Sequence, residues 1–367
     1  MRMVRVLVRF FYDPKDVLND GEVMKKLLVR AASGSSQILV GESIDNLKQY
    51  VDVRRTVIIT DNTVARLYQN QFPACPIISI DSGEQIKTLE TVSTIFSQLV
   101  EIEADRSTVI LGIGGGIVCD IAGFVASTYM RGLPFVFVST TLLSQVDASV
   151  GGKNGVNFGG YKNMVGVFNQ PEFVVCDMML LNTLPFREIQ CGFAEIIKHG
   201  AIADGRMLDF LENHRDAALD LDSAIIEHLV YRSVEIKAGV VTRDEREQGE
   251  RRKLNFGHTF GHAIEKLTGM PHGEAVGIGM VLAATLSVKK GLLPPLDARR
   301  LGRIVESYGL PVRPPVDAQS LLSAMRKDKK REGGRIHFVF LDALGSARVE
   351  EIPFDELHRL VAAVKMG

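Results

Sequence analysis

The sequence predicts an α/β N-terminal domain with a mostly parallel sheet, followed by an all-α C-terminal domain. Before Pro185, short β-branched runs alternate with helix-length segments, a pattern typical of parallel strands joined by crossover helices. After Pro185, long amphipathic stretches rich in Ala, Glu, Leu and Lys replace the strand signals. The length of 367 residues suits two domains, and we place the boundary so that they comprise residues 1–184 and 185–367.

The individual elements follow from the same patterns. Six β-branched or aromatic runs predict strands, at Gln37–Val40, Thr56–Thr60, Ile77–Ile80, Thr108–Gly112, Phe135–Ser139 and Phe173–Cys176. Apolar periodicity predicts helices over 186–202, 206–219, 222–242, 257–268 and 273–290. A minor strand is predicted around Arg335–Leu341, and the charge run Arg243–Lys253 predicts a solvated helix face.

Composition excludes several classes of protein. The 43 Lys and Arg nearly balance the 44 Asp and Glu, so no global field attracts nucleic acid or an anionic membrane. The four cysteines form no C-x-x-C pair, which favours a reducing compartment. The longest uncharged apolar run, Ala275–Val288, is shorter than the ~20 residues of a membrane helix, and no export signal is visible. We therefore expect a cytoplasmic protein without nucleic-acid or membrane partners.

A glycine cluster, Gly112-Ile-Gly-Gly-Gly116, follows a predicted strand and opens a predicted helix. Bare backbone amides at a helix N-terminus can face a pyrophosphate, and strand carboxyl ends are where α/β sheets bind ligands. The spacing departs from the dinucleotide fingerprint, because Ile117 or Cys119 occupies the place of the third glycine. The cluster therefore indicates either a nucleotide site or a tight turn that needs glycine only for its backbone.

Histidines and a carboxylate indicate a metal centre. His258 and His262 are spaced i, i+4 and project from one face of a helix, His272 follows shortly, and Glu195 stands in a largely apolar helical stretch. Two histidines and a carboxylate that leave positions open for substrate are typical of catalytic zinc. The alternative is a set of hydrogen-bonded core or surface histidines.

Four basic residues interrupt glycine-rich or apolar segments: Arg131, Lys153, Lys162 and Lys198. If several of them converge, they form a pocket for a small polyanion such as a phosphorylated acid. Taken singly, each is better explained as an unrelated loop residue whose charged end reaches solvent.

Longer motifs unite these features. They include Gly114-Gly-Gly-Ile-Val-Cys-Asp120, Tyr161-Lys-Asn163, Gly192-Phe-Ala-Glu-Ile-Ile-Lys198 and Leu254-Asn-Phe-Gly-His-Thr-Phe-Gly-His262. From about Thr56 to about Phe340, the chain resembles the 3-dehydroquinate synthases of the sugar-phosphate cyclase superfamily. The resemblance implies an N-terminal nucleotide-binding domain, a C-terminal metal-binding domain, and a homodimer.

The resemblance also implies roles for individual residues. Glu195, His258 and His272 would bind one zinc or cobalt ion, which leaves His262 for the substrate. NAD would contact Asp61, Glu84, Lys87, Gly115, Gly116, Asp120, Thr140, Thr141, Asp147, Lys153, Lys162 and Thr183. The catalytic residues would be Lys198, Lys237, Arg251, Asn255 and His262, and further substrate contacts would come from Arg131, Lys153, Asn163 and Lys329.

The implied reaction converts the phosphorylated sugar acid 3-deoxy-D-arabino-heptulosonate 7-phosphate into 3-dehydroquinate and phosphate, a step of the shikimate pathway to the aromatic amino acids. NAD would transiently oxidise a ring hydroxyl and phosphate would then be eliminated; the same hydride would be returned in the reduction that regenerates NAD, before ring opening and intramolecular aldol closure. Three alternatives remain open: another sugar-phosphate cyclase, a metal-dependent polyol dehydrogenase that accumulates NADH, and a non-catalytic NAD-binding sensor.

Overall fold

The structure is a computed structural model that describes residues 24–329 and 334–362, with backbone alone for residues 326–329. The chain divides into two compact units between Leu181 and Asn182. One expected substrate residue, Lys329, is the last residue of a helix, and its side chain lies outside the described part of the structure.

The first unit is built on a seven-stranded sheet. The strands of this sheet are β1 (Lys25–Ala31), β2 (Gly34–Val40), β3 (Thr56–Asp61), β4 (Ile77–Ile80), β5 (Val109–Gly114), β6 (Phe135–Ser139) and β9 (Phe173–Cys176), and the unit also contains β7 (Lys153–Phe158) and β8 (Tyr161–Phe168). The order in the sheet is β1-β2-β9-β6-β5-β3-β4, and every pair except β1–β2 is parallel. All six predicted strands are present, which confirms the predicted α/β class.

Three helices connect these strands, and two of them begin at a side chain that caps the first turn. They are α1 (Asn62–Tyr68), α2 (Leu89–Glu101) and α3 (Gly116–Thr128). The Asp61 carboxylate accepts hydrogen bonds from the first turn of α1, and the Thr88 hydroxyl accepts one from the first turn of α2. Strands β5, β6 and β9 are buried along their whole length, as expected of central parallel strands covered on both faces.

Strands β7 and β8 form a separate antiparallel hairpin that the sequence analysis did not anticipate. Its turn contains Gly159 and Gly160, and both have a positive φ, a conformation that favours glycine. These two glycines are needed for the tight turn between the strands. The hairpin carries three expected ligand-binding residues, namely Lys153, Lys162 and Asn163.

The second unit is mostly helical, as predicted. Its helices are α4 (Phe186–Ala203), α5 (Gly205–Asn213), α6 (Arg215–Leu219), α7 (Ser223–Arg243), α8 (His258–Thr268), α9 (His272–Lys289), α10 (Pro295–Ser307), α11 (Ala318–Lys329) and α12 (Phe354–Ala362). The strand predicted around Arg335–Leu341 is present as β10 (Arg335–Ala343), and it pairs with an unanticipated strand, β11 (Ser346–Pro353). In the described ranges, every helix is too short or too polar to cross a bilayer.

The prediction of a solvated helix face over Arg243–Lys253 is wrong. Helix α7 ends at Arg243, and after a loop the chain continues as a 3-10 helix over Glu250–Asn255. Glu245 and Arg251 are only 8% and 3% exposed. This part of the run is buried because the Arg251 guanidinium donates to the carbonyl oxygen of Glu245, whereas Arg243 and Arg246 are exposed.

Helices α8 and α9 pack closely because glycine occupies their contact. A Cβ atom at Gly279 would lie 2.0 Å from the carbonyl oxygen of Gly257, and a Cβ atom at Gly261 would lie 3.2 Å from the Cα of Val276. Gly257 itself caps α8 in the left-handed region, at φ 82°. The two helix starts, which carry His258 and His272, are therefore held at a fixed separation.

We expect Gly279→Ala to lower the free energy of unfolding by about 1–3 kcal/mol, because the added methyl group meets backbone that cannot rotate away. The matched control is Gly302→Ala in α10, where a Cβ atom would meet nothing within 4 Å. That control should gain about 0.5–1 kcal/mol from the better helix propensity of alanine. Chemical denaturation measures both, and similar values for the two variants would contradict the packing argument.

Candidate active site

A fully buried carboxylate lies at the centre of the second unit. Glu195 is 0% exposed, and its Oε1 atom lies 3.6 Å from Nε2 of His258 and 3.7 Å from Nε2 of His272. One ligand atom from each of the three residues lies within 4.8 Å of the others. The structure thus brings together the three residues expected to bind a metal ion.

Local sequence explains this convergence. His258 and His272 are the first residues of α8 and α9, and Glu195 lies within α4, where residues 191–202 are almost continuously buried. Helix α9 contacts both α8 and α4. A Cβ atom at Gly273 would lie 2.3 Å from the Cα of Cys191, so the start of α9 can approach α4 only with glycine there.

The three residues fit a divalent metal ion. A separation of 3.6–3.7 Å is too long for a strong hydrogen bond. Two ligands that each lie about 2.0–2.2 Å from one tetrahedral ion are separated by about 3.3–3.6 Å, which is close to the observed distances. Zinc and cobalt accept imidazole and carboxylate ligands, so the donor set also matches the expected metals.

The pKa values of the cluster follow from burial and mutual contact. Burial alone would raise the pKa of Glu195, but Lys198, whose Nζ atom contacts Oε2, and the two histidines hold it well below its usual range. Burial, together with Lys198, lowers the pKa of His258 well below its usual value. For His272, burial is outweighed by contacts with Glu195 and Glu265, which raise its pKa to about 9.

Metal affinity should therefore depend on pH through His272. Below about pH 9 its imidazole holds a proton that the metal must displace, so affinity should rise about tenfold per pH unit. The same proton stabilises the metal-free protein below the unfolded pKa of about 6.5, and this stabilisation is lost as the pH rises through about 9. Competition with a chelator at several pH values measures the slope. A pH-independent affinity between about pH 6 and 8 would contradict this assignment.

His262 is placed differently from the other two histidines. His262 is exposed, and the centroid of its ring lies 5.4 Å from that of the His258 ring and 6.0 Å from that of the His272 ring. Among the side chains that the structure describes, the two histidines that lie close to the Glu195 carboxylate are His258 and His272. They are not the pair with helical i, i+4 spacing, which is His258 and His262. His262 thus presents an exposed imidazole beside this cluster.

Three buried cations lie on elements of the second unit that contact one another. Lys198, Lys237 and Arg251 are 1%, 5% and 3% exposed, and they lie on α4, α7 and the 3-10 helix Glu250–Asn255. These three elements contact one another. Asn255, on the same 3-10 helix, donates its amide to the carboxylate of Glu247.

Asp244 organises the loop that leads to this 3-10 helix. Its carboxylate accepts hydrogen bonds from the backbone N–H groups of Gln248, Gly249 and Arg251, at 2.9, 2.7 and 3.0 Å. Burial raises its pKa, but these hydrogen bonds outweigh burial and lower the value. Within the loop Glu247 has a φ of 60°, a left-handed conformation that is uncommon for a residue with a side chain.

Replacing Asp244 with Ala should lower kcat/KM by at least about tenfold, because loss of three charge-assisted hydrogen bonds releases the loop that carries Arg251 and Asn255. Asp244→Asn, which keeps an oxygen acceptor, should lose less. Metal content should be unchanged in both variants, which separates this effect from damage at Glu195. Equal loss in both variants, accompanied by loss of metal, would indicate general unfolding instead.

In the first unit, residues expected to bind cofactor and substrate contact one another. Lys87 is 4% exposed, and its Nζ atom contacts the carboxylate of Asp120 and the amide oxygen of Asn163. Nearby, Lys162 Nζ lies 3.8 Å from Glu84 Oε1. The β7–β8 hairpin thus brings Lys162 and Asn163 to the loop that carries Glu84 and Lys87.

The other expected residues of this unit are more scattered. Gly115 caps α3 without a side chain, and a Cβ atom there would lie 3.0 Å from Cγ2 of Thr141. The backbone N–H of Thr140 donates to Gly114, which keeps this loop close to the end of β5. Three of the remaining positions lie where an element begins: Gly116 begins α3, Asp61 caps α1 and Lys153 begins β7. Asp147 lies in a single π-turn, and Arg131 is exposed and has a positive φ. Thr183 ends a 3-10 helix in the second unit.

Sequence reasoning missed residues that act through others. Asp244 and Glu247 belong to the charge run interpreted as a solvated face, and Glu265 contacts His272 from the far end of α8. Glu265 precedes His272 by seven residues, with the end of α8 between them. This spacing predicts a contact only when the geometry of the α8–α9 turn is known.

Comparison with solved structures defines the class of protein. The fold is similar to 2-epi-5-epi-valiolone synthase from Streptomyces hygroscopicus subsp. jinggangensis 5008, solved with NAD+ and Zn2+, at 28% identity and TM-score 0.77 over 84% of this chain and 90% of that one. It is also similar to a 2-deoxy-scyllo-inosose synthase complexed with carbaglucose-6-phosphate, NAD+ and Co2+, at 24% identity and TM-score 0.80 over 92% and 99%. A probable glycerol dehydrogenase from Sinorhizobium meliloti 1021 shares the fold at 16% identity and TM-score 0.63 over 87% and 93%.

Together with the motifs of both units, these likenesses make the protein an enzyme of the sugar-phosphate cyclase class. The family model of the 3-dehydroquinate synthase N-terminal domain matches residues 77–191, and that of the C-terminal domain matches residues 192–331. The chain belongs to the 3-dehydroquinate synthase family.

Proposed function

We propose that this protein is a 3-dehydroquinate synthase that uses NAD and one zinc or cobalt ion. Its substrate is 3-deoxy-D-arabino-heptulosonate 7-phosphate, and its products are 3-dehydroquinate and inorganic phosphate. The two domains of the proposal are residues 1–184, which bind NAD, and residues 185–367, which bind metal and substrate. The proposed form is a cytoplasmic homodimer.

The observation that carries the proposal is a set of three buried cations on elements that contact one another, one of which, Lys198, contacts Glu195 of the carboxylate and histidine cluster. In a buried setting, a charge-assisted hydrogen bond from a cation to a phosphate or carboxylate group is screened little by water. Lys198, Lys237 and Arg251 are nearly inaccessible and lie on mutually contacting elements. They suit a substrate with phosphate and carboxylate groups better than a neutral polyol.

When bound, NAD supplies a reversible hydride acceptor and the divalent ion polarises an oxygen of the substrate. Glu195, His258 and His272 hold the ion. The residues that bind NAD in this proposal come from the first unit, with one exception, Thr183. They are Asp61, Glu84, Lys87, Gly115, Gly116, Asp120, Thr140, Thr141, Asp147, Lys153, Lys162 and Thr183.

The chain's own groups bind and orient the substrate and move its protons. The cations Lys198, Lys237 and Arg251 bind its anionic groups through charge-assisted hydrogen bonds, and Arg131, Lys153, Asn163 and Lys329 add contacts. Asn255, fixed by Glu247, orients a hydroxyl group. His262 exchanges a proton with a hydroxyl or carbonyl oxygen, because its imidazole is exposed beside the carboxylate and histidine cluster and imidazole nitrogens can both donate and accept a proton.

The test is a reaction with the heptulosonate phosphate, NAD and zinc, in which free phosphate and the cyclic product are both measured. We expect equal amounts of the two and no net accumulation of NADH. The control is Glu195→Gln, treated identically. Stoichiometric NADH would favour a dehydrogenase, and absence of turnover by metal-loaded protein would refute the proposed substrate.

A second cyclase activity is the competing candidate, because the likeness to a valiolone synthase reaches 28% identity. Glucose 6-phosphate, the sugar whose carbocyclic analogue occupies the 2-deoxy-scyllo-inosose synthase, is a suitable comparison substrate. Phosphate release from that sugar at a higher kcat/KM than from the heptulosonate would replace the first proposal with the second.

A further inference from the structure

The imidazole of His272 has an acidic neighbour on each side. Its Nε2 atom faces Glu195, and its Nδ1 atom lies 3.4 Å from Oε2 of Glu265. The Glu265 side chain is 12% exposed and belongs to α8, whereas His272 begins α9. The contact therefore joins the end of one helix to the start of the next.

We propose that Glu265 is a positioning residue that orients His272 and raises the affinity of the site for its divalent ion. This inference rests on the proposed metal site. A carboxylate that accepts the Nδ1 proton leaves the lone pair of Nε2 directed at the metal, and it makes the imidazole a stronger donor.

The two histidines of the cluster are held in different ways. Nδ1 of His258 lies 3.2 Å from the carbonyl oxygen of Phe256, so a neutral backbone group holds that ring. His272 is held by a charged side chain. A substitution at Glu265 removes the contact with His272 and leaves both ligands and the backbone in place. The contact with His258 cannot be removed in this way, because its partner is a backbone carbonyl group.

Electrostatics around His272 gives Glu265 a second effect. His272 lies at the N-terminus of an 18-residue helix, where the helix dipole disfavours positive charge. Lys198 contributes a further positive charge beside Glu195. A divalent ion leaves this region cationic even after Glu195 has compensated one charge, and Glu265 compensates another.

The experiment measures metal affinity directly, without turnover. Metal-free protein is titrated with Co2+, whose visible absorption reports its coordination, in competition with a chelator. Glu265→Ala should weaken the affinity by about 10- to 100-fold. Glu265→Gln, which retains an acceptor for Nδ1–H without the charge, should show a smaller loss. Circular dichroism should show the same helix content in both variants.

The matched control is Glu274→Ala. Glu274 lies in the first turn of the same helix α9 but pairs with Arg187, at 3.0 Å between Oε2 and Nη2, and not with His272. Its loss should weaken Co2+ binding by less than about threefold, because it tests only the general effect of one carboxylate at this helix start.

The outcomes separate this inference from the proposed function. If wild-type protein binds no metal, or if Glu195→Gln binds it as tightly as wild type, the metal site itself is wrong. If wild type binds one ion and Glu265→Ala binds it within threefold as tightly, the role of Glu265 is wrong. Equal losses in Glu265→Ala and Glu274→Ala would also overturn it, because the effect would not depend on contact with His272.

Discussion

Glu195→Gln should abolish metal binding and turnover together. The substitution keeps the size of the side chain but removes the charged ligand from the buried cluster. Loss of an outer-shell partner alone weakens metal affinity by about 10- to 100-fold, so loss of a ligand should exceed about 100-fold. Metal analysis after dialysis and the phosphate-release assay measure the two effects.

The same variant should also be less stable. Lys198 is 1% exposed and contacts the Glu195 carboxylate, so Glu195→Gln leaves a buried cation without its anion. Breaking such a pair costs about 3–5 kcal/mol. Glu188→Gln is the control, since Glu188 lies on the same helix but is exposed. An equal loss of metal in both variants would contradict the assignment of Glu195 as a ligand.

Lys198→Met should destabilise the metal-free protein by up to about 3–5 kcal/mol, because it removes the cation that contacts the buried Glu195 carboxylate and leaves only the more distant His272 imidazolium to compensate its charge. A divalent ion then provides the missing positive charge. Zinc should therefore raise the melting temperature of this variant more than that of wild type, while kcat/KM stays low for lack of an anion-binding group. Thermal denaturation with and without zinc measures this difference.

The double variant Glu195→Gln with Lys198→Met completes this test. It removes both charges at once, and replacing a buried ion pair by neutral groups of similar volume is often neutral for stability. It should regain most of the lost stability but no metal. Additive losses would show that the two side chains do not compensate each other.

The sheet and most helices could be predicted because each element carries its own periodicity. Strands β3, β5, β6 and β9 are continuous apolar runs, which is how buried parallel strands are encoded. The β7–β8 hairpin escaped prediction because exposed, glycine-containing strands lack a clear alternation. Strand β11 likewise has a mixed burial pattern that resembles a polar loop.

The site was predicted in part for a different reason. Residue types and the family resemblance identified Glu195, His258 and His272, but spacing alone favoured His258 with His262. The pairing with His272 depends on how α9 packs back against α8, which leaves the His258 and His272 ring centroids 5.1 Å apart. The inward turn of the charged run was hidden because Asp244 and Arg251 find partners in backbone groups, and sequence patterns show no backbone partners.

The two histidines of the cluster are joined by a helical hairpin, whereas Glu195 comes from a distant part of the chain. Contacts between residues close in sequence form quickly, so α8 and α9 can associate before α4 packs against them. Until then the hairpin offers two imidazoles and only an incomplete metal site. Because Lys198 lies one turn from Glu195 on α4, the same docking step brings in both the third ligand and its counter-charge. In this order of assembly the carboxylate is dehydrated together with Lys198, which avoids the penalty that its isolated burial would impose.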